Sequence, residues 1–101
     1  MNINKEEYKH YVIGENKLCF PNHEYIIKLD FPRVYIRYKL KEACFANYDE
    51  FYSNIAEVQW LDGQAPPEQE KESILINAYN FLAIDEWLLE NDLSDIDEIE
   101  G

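Results

Sequence analysis

Four side chains of this 101-residue chain have the chemistry for soft-metal binding or nucleophilic attack: His10, Cys19, His23 and Cys44. A structural zinc site draws its donors in short pairs, Cys-x-x-Cys or His-x-x-x-His, and no pair here has that spacing. A thiol nucleophile needs a stabilised thiolate beside a base. Cys19 lies between Leu18 and Phe20, and Cys44 between Ala43 and Phe45. These apolar neighbours predict two reduced, buried core thiols. Asp92, Asp95 and Asp97 loosely follow a calcium loop, but its glycine and its bidentate glutamate at position twelve are missing. The glycines, at 14, 63 and 101, build no phosphate loop. Carboxylates are plentiful, yet nothing singles out one acid and one base. The expectation is a chain with no catalytic residue, no metal and no cofactor.

The charge pattern carries more information. Residues 1–48 hold six acids and eight bases, whereas residues 49–101 hold fifteen acids and one base, Lys71, which together give the net charge of −12. A one-sign field this dense is costly in a compact state, because like charges repel. On a helix, Glu68 with Glu72 and Glu86 with Glu90 are like-charge pairs, each unfavourable by a few tenths of a kcal/mol. The pattern predicts a surface kept for a basic partner, and the alternative is a solvated face that keeps the protein soluble. The residues expected to form the binding surface are Asp49, Glu50, Glu57, Trp60, Asp62, Glu68, Glu72, Asp85, Glu86, Trp87, Glu90, Asp92 and Asp95. Trp60 and Trp87 are included as aromatic anchors among acids. The basic run Arg33, Arg37, Lys39 and Lys41 with Tyr35 has the composition of a nucleic-acid contact. The favoured reading of it is that these bases blunt a sheet edge or pair with the chain's own carboxylates. An acidic protein is repelled by phosphate backbones and anionic lipid alike, so neither is an expected partner.

These residues must be positioned by a small fold. The length suits one domain with a modest core. A hydrophobic fraction of 47% with 15% aromatics is too apolar for a disordered chain. Asn4-Lys5-Glu6-Glu7 resembles a capping box and predicts a helix over residues 4–13, ended by Gly14. Lys17 to Phe20 reads as a short strand. Residues 24–31 and 33–41 alternate with the period of half-buried strands. They predict an antiparallel pair with Tyr25, Ile27, Leu29, Val34, Ile36 and Tyr38 facing the helices. Asn47-Tyr48-Asp49-Glu50 repeats the capping pattern. Phe51, Tyr52, Ile55 and Val58 then continue at helical spacing to Gly63, with a strand through Ala56, Val58 and Trp60 as the competing reading. Pro67 opens a long helix from Glu68 to about Glu90, with Ile74, Ala78, Phe81, Ile84, Trp87 and Leu88 on one face. The predicted fold is α+β: an antiparallel sheet of two to three strands, with an N-terminal helix and two C-terminal helices packed on one face. Residues 1–90 form one domain, and 91–101 form an acidic tail whose composition favours disorder.

No leader pattern opens the chain and no apolar run approaches the ~18 residues that span a bilayer, so the expected location is the cytoplasm. The tetrapeptide Glu72-Ser73-Ile74-Leu75 is similar to a segment of the phage uracil-DNA glycosylase inhibitors, which are acidic DNA mimics. The likeness covers those four residues, and in that family the segment lies on an exposed strand, whereas here it reads as helix. In size and acidity the chain also resembles bacterial toxin-immunity proteins as a class. The expected function is non-enzymatic neutralisation of a basic nuclease or nucleic-acid-binding protein. The setting would be that of an immunity protein, or of a phage or mobile-element mimic of the anti-restriction or anti-CRISPR type. The alternatives are a cytosolic adaptor whose charge serves solubility and, more distantly, a cysteine-dependent enzyme.

Overall fold

A computed structural model describes residues 5–41 and 44–90. Its elements run α1 (Lys5–Tyr8), β1 (Tyr11–Gly14), β2 (His23–Lys28), β3 (Val34–Lys39), α2 (Tyr48–Ser53), β4 (Ile55–Trp60) and α3 (Glu68–Glu90). The four strands form one antiparallel sheet in the order β1-β2-β3-β4.

Three features of this architecture correct the sequence-based fold. The N-terminal helix over 4–13 does not form, because helical geometry is confined to the single turn α1 and Tyr11–Gly14 is a strand. Tyr-Val-Ile suits a pleated surface, and pairing with Ile26 and Ile27 of β2 outweighs the local capping signal. The segment 17–20 is a turn and not a strand: the Asn16 side chain accepts from Cys19 N–H at 3.1 Å, and its carbonyl accepts from Phe20 N–H at 2.8 Å. The helix expected to run from Asn47 to Gly63 stops at Ser53, and Ile55–Trp60 is the fourth strand. One C-terminal helix and one short helix therefore accompany four strands, in place of two C-terminal helices on two or three.

β2 and β3 do pair antiparallel, but the phase of β2 is opposite to the predicted one. Ile26 faces Ile36 and Lys28 faces Val34 on the covered side, where Ile26, Val34, Ile36 and Tyr38 are fully buried. Tyr25, Ile27 and Leu29 belong to the other face. The sequence Glu-Tyr-Ile-Ile-Lys-Leu holds apolar residues on both faces, so the wrong phase looks equally good. The correct one is possible because both of its charges are satisfied. Glu24 accepts from the Tyr38 hydroxyl at 3.1 Å. Lys28 Nζ reaches the Asp30 carboxylate at 3.2 Å and the Asp30 carbonyl at 3.1 Å.

The covered face is closed by α3 and α2. Ile74, Leu75, Ala78 and Leu82 form the buried stripe of α3, one face of a 3.6-residue period. Phe81, Ile84, Trp87 and Leu88, expected on that face, are only half-buried, and Leu75 and Leu82 take their place in the core. From α2, Phe51 is fully buried and meets Tyr38, Phe45 and Tyr79 at ring-centroid distances of 5.4, 5.6 and 5.7 Å. α2 starts as the capping pattern predicts. The Asn47 side chain accepts from Glu50 N–H at 2.9 Å, and the Glu50 carboxylate accepts from Ala46 N–H at 2.7 Å. Cys19 and Cys44 are exposed and not disulfide-bonded, which corrects their placement in the core. Their apolar neighbours misled: Leu18 is among the most exposed apolar residues of the chain.

Candidate functional site

Much of the predicted binding surface is engaged within the molecule. Asp62, just after β4, accepts from Arg33 Nε at 2.9 Å, Nη2 at 2.6 Å and backbone N–H at 2.9 Å. These bonds hold its carboxyl below the usual range, the Arg33 side chain first and the backbone N–H next. Glu50 meets Lys41 Nζ at 2.7 Å. Its carboxyl is also lowered, by the Lys41 hydrogen bond first and the Ala46 N–H second. Glu57 lies across the ladder from Arg37, 3.4 Å from its guanidinium. Arg37 also sits 3.9 Å from the centroid of the Phe20 ring and donates to His23 Nδ1 at 2.9 Å. The basic half of the chain is thus tied to the acidic half through Arg33, Arg37 and Lys41. Of the two parts of the favoured reading of the basic run, pairing with the chain's own carboxylates agrees with this geometry, whereas β3 is an interior strand and has no edge to blunt.

A different subset of the predicted residues converges. α2, β4 and the first half of α3 enclose a groove of about 560 Å³, lined by Tyr48, Asp49, Tyr52, Ile55, Val58, Trp60, Glu68, Lys71, Glu72 and Leu75. Its floor is the covered side of β4, where the protective layer runs out. Val58 is 36% exposed although its ladder partner Ile36 is fully buried. Its rim is acidic. Glu68 pairs with Lys71 at 2.8 Å, whereas Asp49 and Glu72 form no ion pair with the described residues. Their field is visible in Tyr48, whose hydroxyl is pushed up by burial first, then by Glu72, Tyr52 and Asp49. The arrangement offers an apolar and aromatic floor beneath a net negative rim.

Asp49, Trp60, Glu68 and Glu72 are therefore brought together, and Glu50, Glu57 and Asp62 are tied elsewhere. Glu86 lies fourteen residues beyond Glu72 on α3, about 21 Å along the axis, so it belongs to a separate region with Asp85 and the half-buried Trp87. Burial raises the Asp85 carboxyl. The side chain of Glu90, and Asp92 and Asp95 with the rest of the tail, lie outside the described residues. Sequence reasoning missed Tyr48, Tyr52, Ile55, Val58, Lys71 and Leu75 as groove residues. The signal for the floor was present in the strand reading of Ala56, Val58 and Trp60, which would have placed Val58 and Trp60 on one face.

Among the described residues, no group of three or more His, Cys, Asp or Glu is arranged to hold a metal ion, and no helix is long and apolar enough to cross a membrane. No protein-family model, curated protein or solved structure matches the chain.

Proposed function

We propose that this protein is a non-enzymatic binding protein that takes up a basic segment of another protein in the groove between α2, β4 and α3, and so neutralises it. The observation that carries the proposal is what remains after internal pairing. Arg33, Arg37 and Lys41 are matched by Asp62, Glu57 and Glu50, while Asp49 and Glu72 stay unpaired among the described residues at the rim of one apolar groove. A partner that grips phosphates with Lys and Arg presents the complementary charge, and apolar side chains between those bases match the floor. Electrostatic complementarity of this kind speeds association and discriminates among partners. The natural settings are an immunity protein held against a nuclease toxin and a phage or mobile-element inhibitor of a nucleic-acid-binding defence protein, both acting in the cytoplasm.

The test is affinity capture from a lysate with two baits, the wild-type protein and a variant carrying Asp49→Lys and Glu72→Lys. The proposal expects a basic protein retained by the first bait at low salt, released at high salt and not retained by the second. Retention by both baits alike, or retention of acidic and neutral proteins only, contradicts it.

A further inference from the structure

The rim and floor of the groove say what the partner carries, and the edge of the sheet says what shape it takes. Among the described residues β4 is an outer strand, with β3 on one side and no strand on the other. Edge strands are usually blunted by Pro, Lys or an inward-pointing charge. β4, Ile-Ala-Glu-Val-Gln-Trp, has none of these. Its one charge, Glu57, belongs to the opposite face and pairs with Arg37. The shift of register between Arg37 and Tyr38 lies at the Ile55 end of the strand and leaves the stretch Glu57–Trp60 regular.

The ladder fixes which backbone groups are open. Leu61 N–H donates to the Arg33 carbonyl at 2.9 Å. In an antiparallel pair, residues that exchange hydrogen bonds alternate with residues that do not. Gln59 opposite Tyr35 and Glu57 opposite Arg37 therefore turn their backbone groups toward β3. Val58 and Trp60 turn theirs outward. The Trp60 carbonyl accepts from Gly63 N–H at 3.4 Å. The Trp60 N–H and both backbone groups of Val58 have no backbone partner among the described residues. The same two residues put their side chains into the groove. A strand laid on this edge thus sends alternate side chains over the apolar floor, toward the rim that carries Asp49 and Glu72.

We infer that the partner segment binds as an added β-strand, hydrogen-bonded to Val58 and Trp60 along the open edge of β4. Its groove-facing positions carry an apolar residue flanked, two residues away on each side, by Lys or Arg. Main-chain bonds then supply affinity, and alternate side chains supply selection. This inference rests on the acidic-groove reading above.

The probe is a seven-residue peptide with a central valine, lysines two residues to either side and threonines elsewhere, fluorescently labelled and followed by anisotropy at low salt. Two isomers are compared with it, N-methylated on alternate amides of one strand edge or of the other, which leaves charge and side chains unchanged. The inference expects one isomer to lose about tenfold in affinity, the scale of two ordinary hydrogen bonds, and the other to bind within about threefold of the parent. It also expects Val58→Pro, which removes an outward N–H and no bond to β3, to fold and to lose peptide binding, and Val58→Ala, which keeps that N–H, to bind more tightly than Val58→Pro. If that variant does not fold, the methylated pair still decides. Equal binding by all three peptides overturns the added strand and leaves the acidic groove standing. Failure of both the parent peptide and hexalysine to bind at low salt contradicts the acidic groove itself, and the added strand with it.

Discussion

Ile36 and Val58 are direct partners in the β3–β4 ladder and have similar side chains, yet one is fully buried and the other is 36% exposed. The difference marks where the core ends. Over β1, β2 and β3, the face is sealed by Ile74, Leu75, Ala78 and Leu82 of α3 and by Phe51 of α2. Over the middle of β4 that cover ends, and the apolar surface of the strand becomes the floor of an acidic groove. The same sheet thus has a region whose residues are explained by stability and a region whose residues are not. An exposed apolar floor beneath unpaired carboxylates adds little to folding, and under the proposed function it serves binding.

The sharpest way to break this contrast is to truncate on both sides of it. Phe51→Ala removes a fully buried ring from an aromatic cluster and is expected to cost about 3–5 kcal/mol in a urea titration. Val58→Ala, on the open side, is expected to cost less than about 1 kcal/mol. Similar losses for the two would mean that the β4 floor is part of the core after all.

A smaller effect comes from the ion pairs that join the acidic and basic halves. The carboxyls of Asp62 and Glu50 are held below their ordinary values in the folded protein. A depressed carboxyl contributes stability that is complete above its unfolded value and lost as pH falls through its folded value. The melting temperature is therefore expected to fall on acidification below about pH 4, and Asp62→Asn should flatten that fall. An unchanged acid profile in Asp62→Asn would remove the Arg33 anchor from the account.

The smallest effect has the opposite sign. Burial raises the Asp85 carboxyl, so its charge disfavours folding at neutral pH and the penalty is relieved as pH falls. Asp85→Asn is expected to raise the melting temperature slightly at pH 7, with the gain shrinking toward acid. A clear loss of stability would show instead that the Asp85 charge is needed where it stands.

The sequence made some of this legible and concealed the rest for identifiable reasons. The alternation through Val34, Ile36 and Tyr38 is clean, and β3 has the predicted phase. In β2 the neighbouring Ile26 and Ile27 serve either phase, and only the tertiary partners of Glu24 and Lys28 decide between them. The capping box at Asn47 and Glu50 was readable because it is local. The end of that helix at Ser53 was not, because what turns residues 55–60 into a strand is the free side of β3, more than fifteen residues earlier. Of the site, the charge split pointed to the acidic half. Which acids remain unpaired depended on distant contacts such as Arg33 with Asp62, which no spacing rule reveals.

The central claim is that the acidity acts at one groove and not as a diffuse field, and a matched pair of charge reversals tests it. One variant carries Asp49→Lys and Glu72→Lys at the groove rim. The other carries Glu15→Lys and Glu70→Lys, exposed acids that do not line the groove, and has the same net charge. Both are titrated with labelled hexalysine across a salt series, with far-UV circular dichroism to verify the fold. The rim variant should lose binding at every salt concentration. The second variant should keep most of it at physiological ionic strength, where exposed charges are screened beyond about 8 Å. Equal weakening of the two would contradict the groove and leave only a surface whose charge serves solubility.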